Sequence, residues 1–140
     1  MRNYYRVMLG KKNVFAEACI RDGYIGIFGD FIKDLTGQVD EDWREFNKKF
    51  IPLFIEHEPG KSRIAAGLAG GVIWSLVKGI KTGDIVISPV GSGLYRAGKI
   101  ISEYIYRPEG PLQHCRMVEW MPGEIARDRM TRAFAADRKS

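Results

Sequence analysis

The segment from Gly83 to Trp120 constrains the fold most. Asp84 to Ser88 is a short, continuous apolar run of the kind found in a strand buried on both faces. The loop Pro89 to Gly93 turns it back into a long strand, Leu94 to Tyr106. Arg107 to Gln113, with Pro108, Gly110 and Pro111, reads as a loop, and His114 to Met121 as the next strand. Three strands in a row form a late meander, so the upstream sequence has to supply whatever packs against it.

The upstream pattern is mixed. Tyr4 to Leu9 reads as a strand, Gly10 to Asn13 as a turn, and Val14 to Ile20 as a short helix. Asp22-Gly23 signals a turn into a second strand, Tyr24 to Phe28, which ends at Gly29. Asp40 is placed to cap a helix in which Trp43, Phe46 and Phe50 recur at helical spacing, with Pro52 expected to kink or end it. Pro59-Gly60 breaks the chain, and Ser62 is placed to cap a third helix, Arg63 to about Val77. Glu124 to Ala136 has the pattern of an amphipathic helix. The expected fold is α+β: a small, strongly curved sheet flanked by helices.

A chain of 140 residues, 45% of them hydrophobic, can close one core but not two. One domain over 1–136 is therefore expected, with 137–140 as a polar tail opening a linker to an effector domain. The N-terminus has no charged-then-apolar signal pattern and no stretch reaches membrane-span length, which predicts a cytosolic protein. Cys19 and Cys115 read as reduced core thiols, and His57 and His114 lack partners at metal-ligand spacing, so no metal and no cofactor is expected.

The net charge of +5 is unevenly spread. From Pro59 to Ser102, Lys61, Arg63, Lys78, Lys81, Arg96 and Lys99 face a single acid, Asp84, whereas Asp34 to Glu58 is predominantly acidic. One basic face can steer a polyanion. Gly93 to Lys99 has the spacing of a phosphate-binding loop, but Ile100 stands where a Ser or Thr would hold magnesium, and the segment reads as a strand. No nucleophilic, metal-nuclease or triphosphatase pattern is complete, so catalytic residues are expected to be absent. Lys61, beside the free N–H groups of a helix start, is either a single-phosphate contact or part of an ordinary cap.

The third helix carries the most specific signal. Ile64, Leu68, Val72 and Leu76 form one stripe, the expected core face, and Trp74 falls roughly 140° from its midline among Gly67, Gly70 and Gly71. Glycines weaken a helix interior, so something must approach that side closely, either another element or a planar ligand. Tyr24 to Phe31 combines three aromatics, Tyr24, Phe28 and Phe31, with Asp30. The rings can sandwich a flipped base while Asp30 accepts from its edge, or Phe28 and Phe31 are core and Asp30 caps a turn. Ser88 to Gly93, followed by Tyr95 and Arg96, is either a loop whose backbone approaches a phosphate or a plain hairpin.

Taken together, Gly83 to Pro89, Gly91-Ser92-Gly93-x-Tyr95, Gly98-Lys99-Ile100, Tyr104-x-Tyr106 and His114-x-Arg116-x-Val118-x-Trp120 resemble the EVE-like and YTH-like domains of the PUA superfamily. The likeness is to those at the N-termini of bacterial modification-dependent restriction proteins. Tyr4 to Gly10, Tyr24-Ile25-Gly26, Asp34-Leu35-Thr36 and Trp74 ahead of Lys78-Gly79-Ile80 are similar to that group as well. The resemblance implies a small curved β-barrel flanked by helices that reads a modified base in duplex DNA, methylated cytosine first and methylated adenine second, by flipping it into an aromatic pocket. A nuclease or NTPase partner would reside in another domain. Tyr24, Phe28, Asp30, Phe31 and Trp74 are the expected base pocket, with Trp120 the other tryptophan considered. Lys61, Arg63, Lys78, Ser88, Gly91, Ser92, Gly93, Tyr95, Arg96 and Lys99 are the expected contacts to the DNA backbone. A reader of modified RNA and a small nucleic-acid-modifying or hydrolytic enzyme are the alternatives.

Overall fold

The computed structural model describes residues 3–7, 14–29, 31–126 and 128–129. Its fold is α+β. In chain order the elements are β1 (Tyr4–Arg6), α1 (Ala16–Asp22), β2 (Tyr24–Ile27), α2 (Trp43–His57) and α3 (Arg63–Trp74). A π-helical turn (Ser75–Gly79) follows, then β3 (Ile85–Gly91), β4 (Leu94–Tyr106), β5 (His114–Trp120) and β6 (Ile125–Ala126). The sheet runs β1-β3-β4-β5-β2, with β6 paired to the start of β4. The β1–β3 pair is parallel and the others are antiparallel, and the sheet is open, with β1 and β2 at its edges. Among the described residues no helix is long and apolar enough to cross a membrane.

The meander stands as its alternation predicts: β4 matches its expected span, and β5 begins at His114. Val86, Ile100 and Val118 stack across its three strands with Ile25 and Leu112 in one core, together with Cys19 and Cys115, whose free thiols burial pushes up to about 11. Ile85, Ile87, Tyr95 and Ala97 are buried on a separate cluster with Tyr4 and Ile125. The turn between β3 and β4 is tighter than expected. Gly91, Ser92 and Gly93 all have positive φ (100°, 56° and 73°), which reverses the chain within the hairpin itself. Ile125–Ala126 is a strand where a helix start was expected, and the rest of the expected C-terminal helix lies largely outside the described residues.

The helices depart from the sequence reading in three ways, each with a physical cause. The cap of α2 is Asp42 rather than Asp40, its carboxylate accepting from Arg44 N–H at 2.8 Å. Pro52 does not break α2 because it sits on the exposed side, while Phe46, Phe50 and Phe54 hold the inner face in one aromatic row. The α3 stripe is inverted over its first three members: Ile64, Leu68 and Val72 are 79%, 69% and 56% exposed, and the buried residues of α3 are Ala66, Gly70 and Ile73, whereas Leu76, the fourth member, is buried in the core as expected. Gly70 decides this orientation, since a Cβ there would overlap the Asn47 amide and stand 2.8 Å from the Phe50 ring. The small residues face α2 because only they let it come this close. Ser62 caps α3 as expected, accepting from Ala65 N–H at 3.1 Å.

A buried guanidinium joins helices to sheet. Arg116 on β5 donates from Nε to Ser102 O (2.8 Å) and from Nη1 to Leu76 O (2.9 Å) and Ile80 O (2.6 Å). Ser102 lies in the irregular stretch between Ile100 and Tyr104 of β4, where the ladder to β5 shifts register. At the other edge the buried Asp84 carboxylate accepts from Asn3 N–H (3.0 Å) and Lys81 N–H (2.8 Å), tying the start of β1 to the loop that follows the π turn. Replacing Arg116 with Ala strands three carbonyls in the interior. The expected loss is about 3 kcal/mol, or roughly 10 °C in melting temperature. Arg116→Lys should recover only part of it, as read by thermal denaturation followed by circular dichroism.

Candidate functional site

A cavity of about 730 Å3 opens between α3 and the sheet. Tyr5 and Arg6 of β1 with the following Val7 form one wall and Ile25, Gly26 and Ile27 of β2 another, so both free edges of the sheet border the same space. The third wall is the exposed stripe of α3, Leu68 and Val72 with Gly67 and Gly71 beside them. Trp43 from the start of α2 and Trp74 from the end of α3 complete it. The lining is dominated by apolar side chains, and its volume falls in the range of small-molecule and cofactor sites.

Specific hydrogen bonds fix this geometry. Trp74 donates its indole N–H to Asp40 O at 2.9 Å while its ring packs beside Ile73, Phe46 and Phe50. Tyr5 donates its hydroxyl to Gly79 O at 3.3 Å, joining β1 to the π turn. Asn47 Nδ2 donates to Gly67 O at 3.2 Å, which holds α3 at its distance from α2. Trp43 is held more loosely, with the Arg44 guanidinium 5.3 Å from its ring centre. Gly26 has no room for a side chain, because a Cβ would stand 2.9 Å from Leu112 and 3.0 Å from the Cys115 sulfur.

The ladders leave backbone groups unused at this opening. Ile85 N–H donates to Asn3 O and Val7 N–H to Ile87 O, so by strand parity the N–H and C=O of Arg6 point away from β3. Val118 N–H donates to Gly23 O, and the same parity turns the N–H and C=O of Gly26 away from β5. Each of these two walls therefore turns one donor and one acceptor away from its ladder, in a lining that is mostly apolar.

Of the five residues expected to form a base pocket, four are described, and of these only Trp74 lines this cavity. Tyr24 is a core residue, 4% exposed, with its hydroxyl pushed up to about 12 by burial and the Arg107 guanidinium over its ring. Phe31 turns toward α2, stacking on His57 at 4.3 Å and touching Phe50 and Phe54. Phe28 points outward and is 60% exposed, while Asp30 lies outside the described residues. Trp120 is also elsewhere, packed over Gly98 with its N–H donated to Cys19 O. Tyr5, Trp43, Leu68 and Val72 take the places around Trp74.

The basic residues divide in the same manner. Lys61, Arg63 and Lys99 are exposed and make no ion pair among the described residues. Lys78 is bound to Glu41 at 2.7 Å, which holds that carboxyl below its usual range, and Arg96 donates to Met121 O. Ser88 and Tyr95 are buried in the sheet and cannot touch a phosphate, a correction to the sequence reading. Gly91, Ser92 and Gly93 are exposed at the hairpin tip, and the turn itself accounts for the glycines.

A family model covers nearly all of these elements, over residues 5–133. The chain belongs to the DUF8426 family, a domain of unknown function. The DUF8426 match takes in every wall of the cavity, from Tyr5 to Ile80. No curated protein and no solved structure matches the chain.

The exit of β2 hangs on a buried histidine. His114 Nε2 donates to Gly29 O (3.1 Å), so Nδ1 accepts from the Tyr104 hydroxyl (2.7 Å), whose oxygen accepts from Leu35 N–H (3.2 Å). Burial, opposed by the Gly29 carbonyl, holds the imidazole below its ordinary 6.5. The unfolded chain therefore takes up this proton first as pH falls. His114's contribution to stability is complete above about 6.5 and is lost as pH drops through the folded value. Urea midpoints should fall between pH 7 and pH 5, and His114→Gln should flatten that slope. An unchanged slope in the variant would remove His114 from the linkage.

Proposed function

We propose that this chain is a specificity module that recognises a modified base in double-stranded DNA by taking the flipped base into the cavity between α3 and the two sheet edges. It would thereby direct a restriction nuclease or NTPase carried by another domain. Methylated cytosine is the first candidate and methylated adenine the second. The chain itself acts by binding rather than by catalysis. In this reading β1 and β2 are the two lips of a curved sheet of the PUA-superfamily kind, EVE-like or YTH-like, and the modified base enters where the barrel is left unsealed.

One observation carries the reading: a mostly apolar cavity bordered by Trp43 and Trp74, with backbone groups of Arg6 and Gly26 that their ladders leave unused on two of its walls. A nucleobase requires that combination, flat apolar contact on its faces and donors and acceptors at its edge. An added methyl would meet Leu68, Val72 or the open surface of Gly71, where a Cβ would have no described residue within 4 Å. Lys61 and Arg63, at the start of the helix that forms one wall, supply unpaired charge for the flanking phosphates.

Binding to duplexes identical except for one base (cytosine, 5-methylcytosine, 5-hydroxymethylcytosine or N6-methyladenine) tests the proposal. A methyl in an apolar pocket is worth about 1–3 kcal/mol, so preference should be roughly ten- to a few-hundredfold. Equal affinities across the set would end the reading, and tighter binding to single-stranded RNA carrying N6-methyladenine would transfer it to RNA.

Leu68→Arg and Val72→Arg should abolish the preference while leaving the melting temperature within a few degrees, because both positions are already solvated. Lys61→Ala and Arg63→Ala should instead weaken modified and unmodified duplexes alike and lower the salt slope by about one each.

A further inference from the structure

We infer that Phe28 is the wedge that fills the space a flipped base leaves in the duplex, an inference that rests on the base-reading proposal above. Phe28 is the most exposed Phe or Trp among the described residues, at 60%. It directly follows Ile27, which lines the cavity, at the point where β2 ends, and is not itself part of the lining. Its neighbours in sequence are firmly held. Ile27 lies in the ladder with β5, and Gly29 is pinned from both sides, its N–H donating to Gln113 Oε1 (2.8 Å) and its carbonyl accepting from His114 (3.1 Å). An apolar ring is thus presented to solvent from an anchored backbone, one residue along the chain from a cavity wall.

Extruding a base leaves its two stacking neighbours facing an empty layer. Proteins that open base steps commonly insert an apolar side chain at such a place, and an aromatic ring restores part of the lost stacking. A pocket residue cannot do this, because it is occupied by the extruded base. Phe28 is free to do so: among the described residues neither the core clusters nor the ring contacts include it.

The test compares Phe28→Ala and Phe28→Leu with the parent on three probes: a duplex with one 5-methylcytosine, the same duplex with that base left unpaired opposite an abasic site, and the modified strand alone. The melting temperature should be unchanged within a few degrees. Phe28→Ala should lose about tenfold or more on the paired duplex and little on the single strand, with Phe28→Leu intermediate. A 2-aminopurine placed beside the target should report less unstacking with Phe28→Ala.

Equal losses on all three probes would make Phe28 a pocket residue, and no loss on the paired duplex would make it a bystander. Either result overturns the inference while leaving the base-reading proposal intact. Absence of any modified-base preference in the parent protein would instead overturn the proposal on which the inference depends.

Discussion

A buried positive charge that forms no ion pair among the described residues sits near the centre of this domain. The Arg116 guanidinium is held by carbonyl dipoles of the π turn and of irregular β4, and burial lowers its tendency to stay protonated, opposed in part by the charges of Glu103 and Asp84. Three carbonyl acceptors hold it in place. In accepting from it, Leu76 and Ile80 are fixed to the sheet, and the end of α3 with Trp74 is fixed with them. The wider π-helical turn is what brings both carbonyls to one guanidinium nitrogen, and wider turns of this type commonly occur at functional positions. The third wall of the cavity therefore depends on a residue that does not touch the cavity.

The strands were legible because alternation and turn chemistry are local. His114 starts β5 and β4 spans Leu94 to Tyr106 as read, since both strands are bounded by Gly and Pro signals on the chain itself. The orientation of α3 was not. A stripe of large apolar residues normally marks the core side, and here Ile64, Leu68 and Val72 mark the open side because α2 selects the face with the smallest residues. What identifies that face is the overlap a side chain at Gly70 would suffer against Asn47, a contact between residues 23 positions apart that no helical period encodes. The same kind of distance hid Trp43 and Tyr5. Each looks like ordinary core in its own segment, and only the tertiary arrangement of β1, α2 and α3 brings them beside Trp74.

The aromatic run at the exit of β2 shows how quickly neighbouring side chains can part company. Tyr24 goes to the core, Phe28 to solvent and Phe31 to the inner face of α2, because the ladder ends at Ile27 and the chain then turns at Gly29. Composition alone grouped the three rings. Backbone direction separates them, and it is also what leaves the cavity lined by aliphatic groups and two tryptophans.

An open seam between two strand edges is ordinarily a hazard, since unpaired N–H and C=O groups invite a strand from another molecule. The geometry here limits that hazard by length. β1 has three residues and β2 has four, so an intruding strand would find only one or two backbone pairs along either of them. The helix α3 also borders the gap. The shortness of both edges thus limits how far a strand from another molecule could pair along the seam.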